Sequence, residues 1–275
     1  MPQQTQKRSR GRPRSLPDEA KNSTVRALDR GLTLLRALAK EGSITLSELA
    51  LCVDMPPSSA HRILTTLQKH AFVEFDDGTQ QWAVGIEAFR TGSSYLARTN
   101  LVEAAQKTMR SLMQETGETA NLAIPDGGDV VFISQVETAH PIRAFFRPGT
   151  RSHMHASGTG KALLAELSEG DLEQILQNKG LPEFTAHTLT SPAALFADLE
   201  KIKKRGWSFD DEERYSGMRC VAAAIYNSFG EAIAGISISG PTARLQDDII
   251  SELGAKIRRA AGDVTTLIGG SVPGA

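Results

Sequence analysis

Between Leu46 and His70 the chain reads LSELALCVDMPPSSAHRILTTLQKH, two short apolar-periodic stretches separated by a tight Asp54-Met55-Pro56-Pro57 turn. Two runs rich in β-branched and aromatic residues follow, set around Asp77-Gly78. Thr45 and Glu48 have the spacing of a capping box ahead of Leu46, Leu49, Ala50 and Val53, so a helix starts there. In the next stretch Ala60, Ile63, Leu64, Leu67 and Ala71 form a buried stripe. Pro56-Pro57 suits a first helical turn because proline has no amide hydrogen to leave unsatisfied. Asp-Gly is favoured where a hairpin needs positive φ, so the two runs form a wing. Upstream, Val25 to Ala39 places Leu28, Leu32, Leu35 and Leu38 on one face behind Ser23 as N-cap. The pattern predicts a winged helix-turn-helix over residues 23–85. Its second helix keeps a polar face of Ser58, Ser59, His61, Arg62, Thr65, Thr66 and Lys69, donors and acceptors that suit a DNA major groove. Ser58, Ser59, His61 and Arg62 are the candidate contacts.

Charge separates this module from the rest. Residues 1–70 hold 12 Lys and Arg against 6 Asp and Glu, whereas residues 71–275 hold 19 against 26. A basic module suits phosphate contact with release of counterions, and the acidic remainder does not. Within the tail at 1–22, Lys7 to Arg14 carries five cations and no anion, and its Arg-Gly-Arg-Pro core resembles an AT-hook. Either Arg10 and Arg12 lie along a narrow A·T-rich minor groove, or the segment is a disordered basic tail that adds nonspecific attraction.

A length of 275 residues accommodates this reader and a larger domain. There is no apolar run of about 18 residues, and the basic start leads into polar residues, so a soluble cytoplasmic protein without membrane contact is expected. Cys52 and Cys220 fall in different predicted domains and form no metal-type pair. His153 and His155 alternate, with His140 and His187 elsewhere, but no third ligand follows at metal spacing, so no metal or cofactor is expected. Lys201 to Arg205 contains four cations and reads as a solvated helix end.

Gly85 to Ala97 reads as a linker helix (86–99) with Ile86, Phe89 and Leu96 available for burial, and a second helix runs from Leu101 to Thr116. Apolar residues left exposed on such a connector pair two chains, as two-fold DNA half-sites require. The boundary falls near Thr99-Asn100. From residue 100 onward, strands are expected at Thr119 to Ile124, Val130 to Val136, Ile142 to Phe146, Arg219 to Asn227 and Ala232 to Ser239. Turns fall at Asp126 to Asp129 and around Gly230. Helices fit Gly158 to Leu167, Glu169 to Gln177, Pro192 to Arg205 behind Ser191, and Gln246 to Leu267. Strands joined by tight turns beside long helices imply an α+β domain with an antiparallel sheet.

Four features of this domain suggest an anion pocket. Ser157-Gly158-Thr159-Gly160 opens a helix, where free amides and the dipole favour a carboxylate. Ser237 and Ser239 are two apart on a strand, so both hydroxyls face one way. Cys220 begins the neighbouring strand. Asp210 is expected in a loop between Trp207 and Tyr215, placed to offer its amide or to accept from a ligand hydroxyl.

The segments ALDRGLTLLRALA (27–39), PPSSAHRILTTL (56–67), WAVG (82–85), HASGTGKALLA (155–165) and RGWSFDDEERYSGMRCVAAAIYNSFGEAIAGISISGP (205–241) together resemble an IclR-family transcriptional regulator along nearly the whole chain. The resemblance implies a winged helix-turn-helix joined by a linker helix to a GAF-like effector-binding domain, in a dimer or tetramer. Asp210, Cys220, Ser237, Ser239 and the Ser157, Gly158 and Thr159 helix start resemble the pattern of the glyoxylate-sensing subgroup. That implies a DNA operator and a small 2-oxoacid, glyoxylate above others, as partners. The helix-start amides would hold the carboxylate, while Ser237, Ser239 and the Asp210 amide hold the aldehyde or its hydrate. Two other classes stay open: an enzyme acting on a small oxoacid through Cys220, and a ligand-independent architectural DNA-binding protein.

Overall fold

A computed structural model describes residues 25–97 and 101–273. They form two compact units that divide between Tyr95 and Leu96. Arg10, Arg12, Ser23, Thr99 and Asn100, together with the Leu96 side chain, lie outside what is described.

The first unit runs α1 (Arg26–Glu41), β1 (Ser43–Thr45), α2 (Leu46–Cys52), α3 (Pro57–Lys69), β2 (Val73–Asp76) and β3 (Gln81–Val84), with α4 (Ile86–Ala97) following. Thr45 caps α2 in a complete capping box with Glu48. The chain turns into α3 through Asp54, whose φ of 46° is left-handed. Leu34, Leu38, Leu49, Ala60, Leu64, Val73 and Trp82 close the core. The wing is three-stranded, because β1, too short to show in the sequence, pairs along β3.

Several expectations change here. On α1 the buried pair is Leu34 and Leu38, whereas Leu28 and Leu32 are 61% and 47% exposed. The helix packs through its 34/38 side, which leaves Val25, Leu28 and Leu32 as a second apolar ridge facing away from the unit's own core. Ala71 lies beyond the end of α3 at φ 56°, exposed, and so leaves the buried stripe. In the wing loop the positive φ belongs to Gln80, at 56°, and not to Asp77 or Gly78. Asp76 shapes the loop instead, its Oδ1 accepting from the Gly78 amide at 2.7 Å. On α4, Ile86 and Phe89 are exposed.

The second unit runs α5 (Leu101–Thr116), β4 (Thr119–Asp126), β5 (Asp129–Val136), β6 (Arg151–His153), α6 (Gly158–Leu164), α7 (Glu169–Lys179), α8 (Pro192–Arg205), β7 (Ser208–Asp211), β8 (Met218–Tyr226), β9 (Ala232–Pro241) and α9 (Asp247–Leu267). Its strands form one antiparallel sheet in the order β6-β5-β4-β9-β8-β7. One face carries Leu122, Val221, Ile225, Ile236 and Ile238 against α5 and α9. The other begins apolar, with Ala123, Phe132 and Ala224 under α6, α7 and α8, and then becomes polar.

The expected strand at 142–146 is absent: β6 occupies the open edge of β5, and the segment between Pro141 and Pro148 runs as a loop. The Ile142 carbonyl accepts from Arg244 at 2.9 Å, and Phe146 stacks on Phe132. Helix α6 stops at Leu164 in tighter turns, three residues short of expectation. Helix α8 matches its predicted bounds. Ser191 accepts from the Ala194 amide, Pro192 fills the first turn, and Gly206 ends the helix at φ 76°. Replacing Ser191 by Ala should lower stability of this unit by about 1 kcal/mol, the usual worth of an N-cap, read by urea unfolding.

Candidate functional site

On α3 the apolar side is fixed by Ala60 and Leu64, so Ser58, His61, Arg62, Thr65, Thr66 and Lys69 project outward, with Ser59 half-buried. Thr65 and Thr66 donate their hydroxyl protons to the His61 and Arg62 carbonyls, which leaves their oxygens as acceptors. Arg62 forms no ion pair among the described residues, so its guanidinium is available to a phosphate or a guanine edge.

The polar face of the second sheet is built in rows. Antiparallel register sets Thr119, Ser239, Cys220 and Asp210 side by side across β4, β9, β8 and β7, and Asn121, Ser237, Ala222 and Ser208 in the next row. Directly paired residues share a face, so these side chains converge. The structure brings Asp210, Cys220, Ser237 and Ser239 together. Asp210 is on strand β7 and not in a loop, because Ser208–Asp211 pairs with β8 and alternates buried and half-buried. Thr119 and Asn121 join the group, a contribution that sequence reasoning missed.

The start of α6 lies against this face. Ser157 caps it, accepting from the Gly160 amide at 3.3 Å, while the Gly158 carbonyl accepts from Ser208 at 2.5 Å. A Cβ at Gly158 would stand 2.8 Å from the Cys220 sulfur, so only glycine lets the helix start approach so closely. Asn121 donates to Ser239 at 3.3 Å and accepts from Gln135 at 2.9 Å. Thr119 Oγ1 is buried with no hydrogen-bond partner among the described residues, and Ser237 Oγ, also buried, has only the Cys220 thiol beside it. Burial, with Asp210 nearby, pushes the Cys220 thiol up to about 12, so it stays protonated beside Ser237 and Ser239.

Beneath the helix start lies Lys161, 1% exposed. Its Nζ donates to Glu213 at 2.5 Å, to the Phe209 carbonyl at 2.6 Å and to Asp198 at 2.7 Å, which uses all three ammonium protons. Asp210 accepts from the Glu213 amide at 2.8 Å, and the Gly158 amide also favours its charged form. Burial outweighs these donors and raises Asp210 to about 6. It likewise pushes Glu213 up, with Asp210 and Asp198 adding repulsion, while the Lys161 ammonium pulls it back toward the charged form. Thr185 and Thr188 donate to the Glu212 and Glu213 carbonyls and tie down the loop after β7. Arg214 packs 3.7 Å over Phe184. His155, buried nearby, places Nε2 3.1 Å from the Pro182 carbonyl, and the described residues hold no cluster of three metal-type ligands.

Replacing Lys161 by Met strands Glu213 without its cation. A loss of about 3–5 kcal/mol is expected from breaking a buried pair. Adding Glu213→Gln should recover part of it, and urea unfolding of the two variants reads the coupling.

Comparison with known proteins gives the following matches. Residues 27–77 match the family profile described as the IclR helix-turn-helix domain, and residues 93–266 match that of the bacterial transcriptional regulator IclR C-terminal. The chain is 49% identical to the HTH-type transcriptional regulator BhcR of Paracoccus denitrificans over 261 residues, covering 94% of each chain. It is 44% identical to the transcriptional repressor IclR of Escherichia coli, covering 95% of this chain and 96% of that one. The crystal structure of Thermotoga maritima IclR aligns with a TM-score of 0.75 at 30% identity, over 90% of this chain and all of that one.

Proposed function

This chain belongs to the IclR family of DNA-binding transcriptional regulators, and within that family we propose that it is a cytoplasmic repressor whose hold on its operator is set by a small 2-oxoacid, glyoxylate favoured. The repressor sense rests on the name of the Escherichia coli relative. As a regulator the chain is not an enzyme, and burial that keeps the Cys220 thiol protonated disfavours a nucleophilic role.

The exposed residues of α3 read the operator, with Ser58, Ser59, His61 and Arg62 in the major groove and Arg10 and Arg12 of the tail in the adjoining minor groove. Two copies pair through apolar side chains that one copy leaves in water: Val25 just ahead of α1, Leu28 and Leu32 on α1, and Ile86 and Phe89 on α4. Each is about half to two-thirds exposed, so covering it contributes about 1–2 kcal/mol before association costs. If Arg62 reads a base, Arg62→Ala should cost about 1–3 kcal/mol of operator affinity in a fluorescence-anisotropy titration. Unchanged affinity in the folded variant would remove Arg62 from the interface.

The observation that carries the effector reading is the buried Thr119 hydroxyl, without a hydrogen-bond partner among the described residues, beside Ser237, Ser239 and the start of α6. A buried hydroxyl without a partner is costly, and a ligand oxygen relieves the cost. It also favours a liganded regulator over an architectural DNA-binding protein. The row carries hydroxyl, amide, thiol and carboxyl side chains, which suit a small oxygen-rich acid. Amides at Gly158 and Thr159 suit a carboxylate, and the serines suit an oxygen on the adjacent carbon.

Asp210 gives this reading a pH signature. Above about 6 its carboxylate is charged and repels the incoming anion, so binding takes up a proton and tightens as pH falls from 8 toward 6. Calorimetry of glyoxylate in two buffers of different ionisation enthalpy should show that uptake, and Asp210→Asn should abolish it. Ser237→Ala with Ser239→Ala should lower affinity by about 0.5–1.5 kcal/mol per lost hydrogen bond and weaken the operator response, while DNA binding without effector persists. Wild-type glyoxylate affinity in the double variant would exclude these residues.

A further inference from the structure

A second polar concavity lies in the C-terminal unit, where the end of α8, the middle of α9 and the end of β8 border a cleft of about 920 Å³. Four cations line it, Lys203 and Arg205 from α8 and Arg258 and Arg259 from α9, against one acid, Glu166. This gathering is unusual for its surroundings, since residues 101–275 carry 17 Lys and Arg against 22 Asp and Glu. The α8 cations complement a helix C-terminus, but Arg258 and Arg259 lie mid-helix and have no such partner. Neither forms an ion pair among the described residues.

Arg205 is held in place before any ligand arrives, and the exposed Arg258 lies against Gly206, which follows Arg205 in the chain. Arg205 lies 4.0 Å over the Trp207 ring and donates from Nε to the Trp207 carbonyl at 2.7 Å. Arg258 packs onto Gly206, where a Cβ would stand 2.8 Å from its Nε, so the absence of a side chain makes the room it occupies. Gly206 itself needs φ 76° to end α8, and one glycine thus serves both the turn and the seat of Arg258. Tyr226 and Glu166 flank this pair. Two planar forks on adjoining elements, one of them held, suit two-point capture of carboxylate or phosphate oxygens.

We propose that this cleft binds a small polyanion carrying at least two negative charges, a di- or tricarboxylate or a phosphate compound, as a second ligand of the C-terminal unit. Its lining shares no residue with the row of Thr119, Ser237 and Ser239, so the proposal stands independently of the oxoacid reading. The two like-charged arginines repel while the cleft is empty, and an anion with two charged ends engages both.

Citrate and inorganic pyrophosphate, titrated into the intact protein at constant ionic strength, test the idea. Binding is followed by calorimetry and by the fluorescence of Trp207, which lines the cleft. Saturable binding of either probe, about tenfold or more tighter than acetate, is expected. A response to citrate alone identifies carboxylates as the ligand source, and one to pyrophosphate alone identifies phosphates. Arg205→Gln with Arg258→Gln should weaken binding about tenfold, and Arg258→Lys, which keeps the charge but loses the fork, should fall between. Should the first pair fail to fold, Lys203→Gln with Arg259→Gln removes two charges at exposed positions and should weaken binding about threefold or more. Absence of saturable binding for both probes, or wild-type affinity in whichever charge-removing variant folds, overturns the proposal.

Discussion

The C-terminal unit turns on one buried ammonium. Lys161 sits on α6, and its three protons reach α8 through Asp198, β7 through the Phe209 carbonyl and the following loop through Glu213. A charge at 1% exposure is tolerable only with every proton paired, so the positions of these elements are mutually specified. That specification sets the start of α6 against Cys220 and keeps β7 at the sheet edge where Asp210 joins the polar row. The hydroxyls of Thr185 and Thr188 hold the other side of the same loop. A shift in any one of these elements is therefore felt by the others, which suits a domain whose task is to convert a small ligand into a rearrangement.

Local chemistry that punctuates an element was legible in the sequence. Ser191, Pro192 and Gly206 mark both ends of α8, and Thr45 with Glu48 marks the start of α2. The long alternating runs of β4, β8 and β9 were legible for a similar reason, since apolar residues on one face imply the other. Strands β1, β6 and β7 span three or four residues, too few for a period to show, and only their partners make them strands. The misplacement of Asp210 in a loop follows directly from overlooking β7. The α1 face was misread because two apolar ridges share the helix, and spacing alone does not say which one meets the core.

Of the candidate site, the residues with a familiar grammar were found and their supports were not. Lys161 reads as a surface lysine because its partners are 37, 48 and 52 residues away. Thr119 and Asn121 did leave a signal, polar residues alternating inside an otherwise apolar strand, yet their meaning depends on the register that sets them beside Ser239 and Ser237. The basic cleft shows the same limit. Its arginines belong to helices 53 residues apart, Arg205 and Arg258, which only the fold brings to either side of Gly206.

The position of Asp210 has a consequence for sensitivity. Its carboxylate stands in the same polar row as Ser239 and is favoured in its charged form by the Gly158 amide, so on the proposed reading it competes with the ligand for that end of the site. An effector pays the cost of displacing or neutralising that group, and its apparent affinity falls by the fraction of molecules in which the site is free. On the proposed reading, the depth at which one aspartate is buried therefore scales how much effector the regulator needs.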